Sequence, residues 1–571
     1  VIFRIDNKKY PVLPYVGVGS STAVLTSFLL LMFLMSLSSL QAQETGDWHL
    51  LDPELDGMLG VSSKRAYEYL ADRKADTVIV AVLDNGADLK HEDMQGVYWV
   101  NKAEIPDNGI DDDANGYIDD IHGWNFLGNA EGENLKMETV GVTRLYAHLH
   151  QKFADKPRSE IPEVDQPAFD LYEEVRKEWQ AKVKENRDDY DRSVRVIAAM
   201  DKAERVLKKR LKKKELTKEN VEKLKSKNKD ILHSKEFYLK MLKYKENQEK
   251  YEKYKENLEK SLRTRLNPNF ENRQEIVGDD VDNLDDTKYG NGQVDARGPY
   301  HGTSVAGLVG ALNNDFGIDG LAKHVKIMVL RMVPNGDERD KDVALAIRYA
   351  VENGATVINC SFAKKYGMHA DFVHLATEEA LEKEVLIIHG SGNYGTNNDS
   401  IPYHPEGRLM NGEMAPNWIT VGASQAQDDE HLVASFSNYG RTSVDILVPG
   451  VQIQSLQPGD RYSNGSGTSI SAPILAGVAA VLKSYFPHLT ASQLKEVILE
   501  SAYRPKTTQV IHPGLVKGGR GDSEAELVPL KDLFVTPGVA NLYRAVLLVE
   551  EKYPSPPAFS DEHSTNPKDE D

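Results

Sequence analysis

Cysteine is almost missing from this chain of 571 residues: Cys360 is the only one, so no disulfide can form within it and no thiol near the start can carry a lipid. A lone cysteine can be a nucleophile. Cys360, however, ends the apolar run 355–360 (Ala-Thr-Val-Ile-Asn-Cys), which reads as a buried small hydrophobe. Basic residues are also in deficit, with 69 Lys plus Arg against 88 Asp plus Glu and a formal net charge of −19. That balance argues against nucleic acid as a partner. The deficit reverses locally, since residues 201–260 hold 21 Lys plus Arg against 12 Asp plus Glu. A Lys-rich segment therefore sits inside an acidic body. Glycine is nearly absent from 145–267, which is rich in Lys and Glu. What is present fits a globular protein of two or three domains: 40% hydrophobic and 8% aromatic residues, enough for a sizeable core.

Residues 23–40 form one apolar stretch, with Lys8 and Lys9 upstream and Gln41-Ala42-Gln43 after it. This pattern reads as an export signal cleaved near Ala42. The stretch is also just long enough to span a bilayer, so an uncleaved anchor is the alternative, and the only membrane contact expected. Either reading sends the chain out of the cytoplasm, to periplasm, cell envelope or medium.

Continuous apolar runs at 77–83, 325–330, 356–359 and 385–388 read as strands buried on both faces. Helical patterns at 341–353 and 371–383 lie between them. Alternation of this kind predicts an α/β fold, a doubly wound and mostly parallel sheet with helices on both faces. Ligands bind such sheets at the carboxyl ends of strands, and Asp84 and Asn393 both follow such ends. In the glycine-poor segment Val175, Trp179 and Val183 share one helix face, and Tyr244, Tyr251 and Leu258 recur at sevens. Pro157, Pro162 and Pro167 break its entry and Asn267-Pro268-Asn269 its exit, so it reads as an inserted helical hairpin or short coiled coil. The divisions expected are an export segment 1–42, a sheet domain in two parts at 48–128 and 272–552, the insert at 129–271, and an acidic, Pro-rich tail at 553–571.

Acyl transfer by a hydroxyl needs a base to take its proton, a carboxylate to fix that base, and donors for the oxyanion. Asp84 ends the first run. His301 opens His301-Gly302-Thr303-Ser304-Val305-Ala306-Gly307, a helix start. Ser469 lies in Gly467-Thr468-Ser469-Ile470-Ser471-Ala472-Pro473, where a helix N-terminus directs free N–H groups at it. Pro473 is expected early in that helix, where its missing N–H costs nothing. Asn393, in Gly390-Ser391-Gly392-Asn393, offers an amide donor.

In these motifs and their order the chain resembles the subtilisin-like serine proteases (subtilases), as it does at Ser435-Phe436-Ser437-Asn438-Tyr439-Gly440 and Val448-Pro449-Gly450. The resemblance implies a triad of Asp84, His301 and Ser469 with Asn393 as oxyanion donor, and hydrolysis of polypeptides through an acyl-enzyme without an organic cofactor. It implies that Ser361, Phe362 and Ala363 pair with extended substrate. Gly390, Ser391 and Gly392 would then border the pocket for the side chain at the cut. Three positions depart from the family pattern: Asn85 for Ser or Thr, Ser304 for a second His, and Ala363 for Gly. They keep a second reading open, a catalytically silent scaffold that binds a partner through the insert. The short stretch between Ala42 and the first strand leaves no room for the family's inhibitory prodomain, and folding without one is expected.

Calcium is the ion expected. Asp111, Asp113, Asn115 and Asp119, with Gly116 at the turn, offer hard oxygen ligands at loop spacing, although His122 stands where an EF-hand has Glu. A second acidic cluster runs through Asp279, Asp280, Asp282, Asp285 and Asp286.

Overall fold

Strand β1 (Val78–Asp84) shows how the core is built. Its side chains alternate: Val78, Val80 and Val82 enter one hydrophobic cluster, whereas Ala81 and Leu83 enter another on the opposite face. A strand apolar at every position is thus buried on both sides. The other strands of the sheet are β2 (Gly123–Asn125), β3 (Val325–Arg331), β4 (Val357–Cys360), β5 (Leu386–Gly390), β6 (Trp418–Ser424) and β7 (Ile446–Pro449). In this computed structural model they form one seven-stranded sheet in the order β2-β3-β1-β4-β5-β6-β7, with every pairing parallel. The structure describes residues 46–212, 214–243, 247–296, 298–514 and 526–554. The export segment 1–42, Tyr244 and nearly all of the acidic tail lie outside them.

Helices Tyr300–Gly310 and Thr468–Tyr485 cover one face of the sheet, and Asp340–Glu352 and Ala370–Glu382 the other. The Thr468–Tyr485 helix is apolar and long enough to cross a membrane, but 83% of it is buried, as suits the central helix of a core. Cys360 closes β4 fully buried, and burial pushes its thiol well above the ordinary range, so it holds no reactive thiolate.

The register decides what meets at the sheet's rim. Leu83 pairs with Cys360, and Cys360 with His389. The next residues along the three strands, Asp84, Ser361 and Gly390, therefore emerge side by side at the carboxyl edge.

The charged insert is built around one helix of 46 residues, Gln166–Leu211. Its first third packs on helix Gly141–Phe153 through Val142, Leu145, Leu149, Phe169, Tyr172 and Val175. Trp179 stacks on Tyr146 with ring centroids 4.2 Å apart and donates to the Leu266 carbonyl at 3.0 Å. The chain returns through Lys218–Glu222, Lys229–Lys243 and Gln248–Arg263, so the partner of the long helix is a series of shorter ones. A second small cluster, Leu207, Val221 and Leu224, closes the far end. Leu258 is buried while Tyr251 is half-buried, and the seven-residue spacing marks one contact stripe on the Gln248–Arg263 helix.

Beyond the insert, Arg273 reaches both Asp279 (2.8 and 2.9 Å) and Asp342 (2.8 Å). Lys341 joins Asp279 at 3.1 Å. Burial alone would raise the Asp279 carboxyl, but Arg273 and Lys341 overturn that and hold it below its ordinary value. Asp279 and Asp286 of the second acidic cluster are thus spent on protein cations.

Candidate functional site

The rim is assembled from three strand ends and two helix starts. Asp84 is 2% exposed, and its carboxylate receives the Asn85 N–H at 2.7 Å. His301, second residue of the Tyr300–Gly310 helix, brings Nδ1 to the same carboxylate at 2.8 and 2.9 Å. Asn85 adds a second tie, its side-chain oxygen accepting the Gly302 N–H at 3.0 Å, one of the amides left free in a first helical turn. Residue 302 has to be glycine, because a Cβ there would strike the Gly86 carbonyl. Helix and strand end are thereby held at one distance. Burial by itself would lower the His301 imidazole, but the adjacent Asp84 charge and hydrogen bond outweigh it and raise it above the ordinary 6.5. The ring remains 45% exposed on the side away from that partner.

Ser469 is the second residue of the Thr468–Tyr485 helix. Its hydroxyl donates to the Ser361 carbonyl at 2.9 Å, and in return the Ser361 hydroxyl donates to the Ser469 carbonyl at 3.1 Å. Pro473 explains the second bond. It falls inside the helix, beyond the four free donors where its ring was expected, and its missing N–H leaves the Ser469 carbonyl without its helical partner. Ser361 fills that vacancy and clamps β4 to the helix. Among the described residues no hydrogen bond joins His301 to Ser469, whose proton is engaged by Ser361.

Asn393 is exposed, and its side-chain oxygen accepts from the Thr468 N–H at 2.8 Å and the Thr468 hydroxyl at 3.1 Å. With the oxygen fixed, the amide NH₂ is left facing the cleft beside the Ser469 N–H, another free first-turn donor. Gly392 makes this turn possible at φ +108, where a Cβ would meet the Asn438 amide at 2.5 Å. Asn438, fully buried, accepts from the Tyr394 and Thr396 N–H groups and donates to the Ser391 carbonyl.

Phe362, Ala363, Gly390, Gly392, Asn393, Tyr394 and Ser469 line one cavity of about 170 Å³. Ser361 and Ser391 lie behind it instead. Both are buried, and the Ser391 hydroxyl donates to the Asn438 carbonyl at 3.2 Å. A hydroxyl at a helix N-terminus with two N–H donors at one small cavity, and a carboxylate-bound imidazole at the same sheet rim, are the groups that acyl transfer needs. Tyr394 was missed from the sequence, and Asn438 was read only as part of the 435–440 stretch, without a role. Tyr394 could have been found as the neighbour of Asn393.

In the acidic loop, Asp111 and Asp113 are joined by Glu104, with one oxygen from each within 4.8 Å of the others. Glu104, 6% exposed, lay outside the spacing considered. Its carboxylate accepts the N–H groups of Asp112 (2.8 Å), Asp113 (3.2 Å) and Asp119 (3.0 Å), which wraps the loop around it. The other two residues of the expected set are engaged within the loop, Asn115 also donating from its side-chain nitrogen to the Asp113 carboxylate at 3.2 Å. The Asn115 side-chain oxygen accepts the Tyr117 N–H at 2.8 Å, and the Asp119 carboxylate takes the N–H groups of Asn108 (3.2 Å) and Gly109 (2.9 Å).

A profile of the subtilase family matches residues 75–526. The chain is 33% identical over 221 residues to the thermostable alkaline protease of Halalkalibacterium halodurans, covering 38% of this chain and 57% of that protein. It is 39% identical over 186 residues to the thermophilic serine proteinase of Bacillus sp. (strain AK1), covering 32% and 42%. The chain spans about half the length of the curated relatives it matches. A crystal structure of a cold adapted subtilisin-like serine proteinase aligns at 28% identity with a TM-score of 0.31, over 37% of this chain and 70% of that one.

Proposed function

The chain belongs to the subtilase family, and from that premise we propose that it is an exported serine endopeptidase that hydrolyses peptide bonds through an acyl-enzyme. The observation that carries this is the Asp84–His301 contact at 2.8 Å at the rim where Ser469 and Asn393 flank one cavity. Ser469 is the nucleophile. To react, its hydroxyl has to leave the Ser361 carbonyl, by rotation about the Cα–Cβ bond, and hand its proton to Nε2 of His301. Catalytic hydrogen bonds are commonly loose before substrate arrives and tighten in the complex. His301 takes the proton and later delivers it to the leaving amine, while Asp84 holds the tautomer and steadies the imidazolium. The Asn393 amide and the Ser469 N–H receive the oxyanion. An extended polypeptide runs along 361–363, and Ala363 narrows the cavity entrance by a methyl group. Export is supported by the apolar stretch 23–40. The test is a peptide-library digest with the mature chain, run beside labelling by a serine-directed fluorophosphonate; a chain that neither cuts nor labels is not a protease.

Replacing Asn393 by alanine is expected to lower kcat by about 10²–10³, because one donor to the oxyanion disappears. KM should change little, since that donor acts mainly in the transition state. Steady-state kinetics on a chromogenic peptide anilide separates the two.

Glu104, Asp111 and Asp113 fit a structural calcium ion. They supply only oxygen, and an oxygen accepting one N–H keeps a lone pair for a cation. Calcium bound there supplies no step of the cleavage and ties the loop to the buried Glu104. At a hundredfold excess over its Kd the ion stabilises the fold by about 2.7 kcal/mol. Chelation is therefore expected to lower Tm by about 2–3 °C, since a chain of this size has a large unfolding entropy. Asp111→Asn with Asp113→Asn should abolish the difference between chelator and calcium in a thermal melt, and a difference that persists assigns the effect to another site.

A further inference from the structure

A cavity of about 410 Å³ lies between the insert and the rim. Its outer wall comes from the Gln166–Leu211 and Gln248–Arg263 helices. Its inner wall includes Lys365 and Tyr366, just beyond the substrate-pairing segment, and Tyr394, which also lines the cavity at Ser469. One side chain thus borders both spaces.

Most polar side chains on this wall have a partner, the cation Lys182 among them, 3.8 Å from Glu178. Lys364 is tied to Asp340 at 2.7 Å, and Lys365 to Glu178 at 2.6 Å. Asp337 accepts the Gly141 N–H at 2.7 Å, and Asp189 accepts the Tyr254 hydroxyl at 3.0 Å. Glu185 is exposed to solvent. Arg265 differs. Among the described residues its side chain has no ion pair and no hydrogen bond, and its Nε is buried without a partner. A partly buried guanidinium without an anion is costly to keep. Its charge is also felt at Tyr394: burial raises that phenol, Asp337 adds to the rise, and Arg265 acts against it. The uncompensated cation therefore sits beside the residue that joins the two cavities.

We propose that this cavity is a second substrate subsite, in which Arg265 selects an acidic side chain of the bound polypeptide near the scissile bond. Arg265 is a specificity-determining residue contributed by the insert, and a carboxylate completes its missing hydrogen bonds. This rests on the protease reading given above.

The test uses the full mature chain and pairs of fluorogenic peptides with Glu or Gln at each position around the cleaved bond. At one position the Glu:Gln ratio of kcat/KM should be about tenfold, the worth of one charge-assisted hydrogen bond. The ratio should collapse towards unity in Arg265→Gln and turn in favour of a Lys peptide in Arg265→Glu. Because each ratio is taken on one enzyme sample, a partly folded variant cannot imitate the result. A ratio near unity at every position in the unmodified chain, or one that survives Arg265→Gln, overturns the subsite. A chain that cuts no peptide and takes no fluorophosphonate label sinks the protease reading and the subsite together. A flat profile from a chain that cuts and labels sinks the subsite alone.

Discussion

Ser469→Ala should cut peptide hydrolysis by on the order of a million-fold and abolish fluorophosphonate labelling. The loss is that large because the parts of the site work as a unit: without the hydroxyl, a well-placed imidazole has no proton to take. What survives comes from the oxyanion donors and from binding alone. Stability should hardly move. Among the described residues the one hydrogen bond that hydroxyl donates goes to the Ser361 carbonyl, a single neutral contact. A bond of this kind is worth about 0.5–1.5 kcal/mol net. The fold is also anchored on the other side of the pair, since the Ser361 hydroxyl still meets the Ser469 carbonyl. The measurement is kcat on a peptide anilide together with a urea melt. Activity that persists with the melt unchanged would move the nucleophile elsewhere.

Asp84→Asn should cost about 10⁴ in kcat at neutral pH, and the geometry gives the reason. The Asn85 N–H points at one carboxylate oxygen of Asp84 at 2.7 Å. In the variant that N–H fixes the amide oxygen, which turns the amide NH₂ towards His301 Nδ1. Two donors cannot face each other, so the ring proton shifts to Nε2, the nitrogen that has to be bare to receive the serine proton. The pH profile should change as well. His301 lies above 6.5 because the Asp84 charge overcomes burial. The native acid limb of kcat/KM therefore falls as pH drops through a value above 6.5. With the charge gone, burial alone remains and the limb should move below 6.5. Folding responds with the opposite sign. A raised histidine stabilises the native state fully below its unfolded pKa, and that contribution is lost as pH rises through the folded value. The contact is thus most stabilising where the protein is least active. A pH–rate profile of both forms tests this, and an acid limb that stays in place would show that another group sets it.

Legibility in the sequence follows burial and chain distance. The strands β1, β3, β4 and β5 stand out because a strand covered on both faces has to be apolar at consecutive positions. β2, with three residues, is too short to show any pattern, and β6 ends in Gly422-Ala423-Ser424, small residues that carry little hydrophobic signal. The insert announced itself as helical through its lack of glycine. Its branching into one long helix and several short ones did not, because breaks such as Lys223 to Asn228 are charged like the helices around them.

For the site, residue types and their order point to the chemistry proposed: an acid at a strand end, a histidine and a serine at helix starts, an asparagine after a glycine turn. These are local requirements, so they are written locally. What only the tertiary structure decided is how they meet. The register of β1, β4 and β5 aligns three strand ends, Pro473 frees a carbonyl for Ser361, and Glu104 closes an acidic loop from outside it. Arg265 reaches a cavity bordered by Tyr394, more than a hundred residues away along the chain. Contacts between distant segments depend on packing and on which polar groups are left unpaired after folding, and neither quantity exists until the chain has closed on itself.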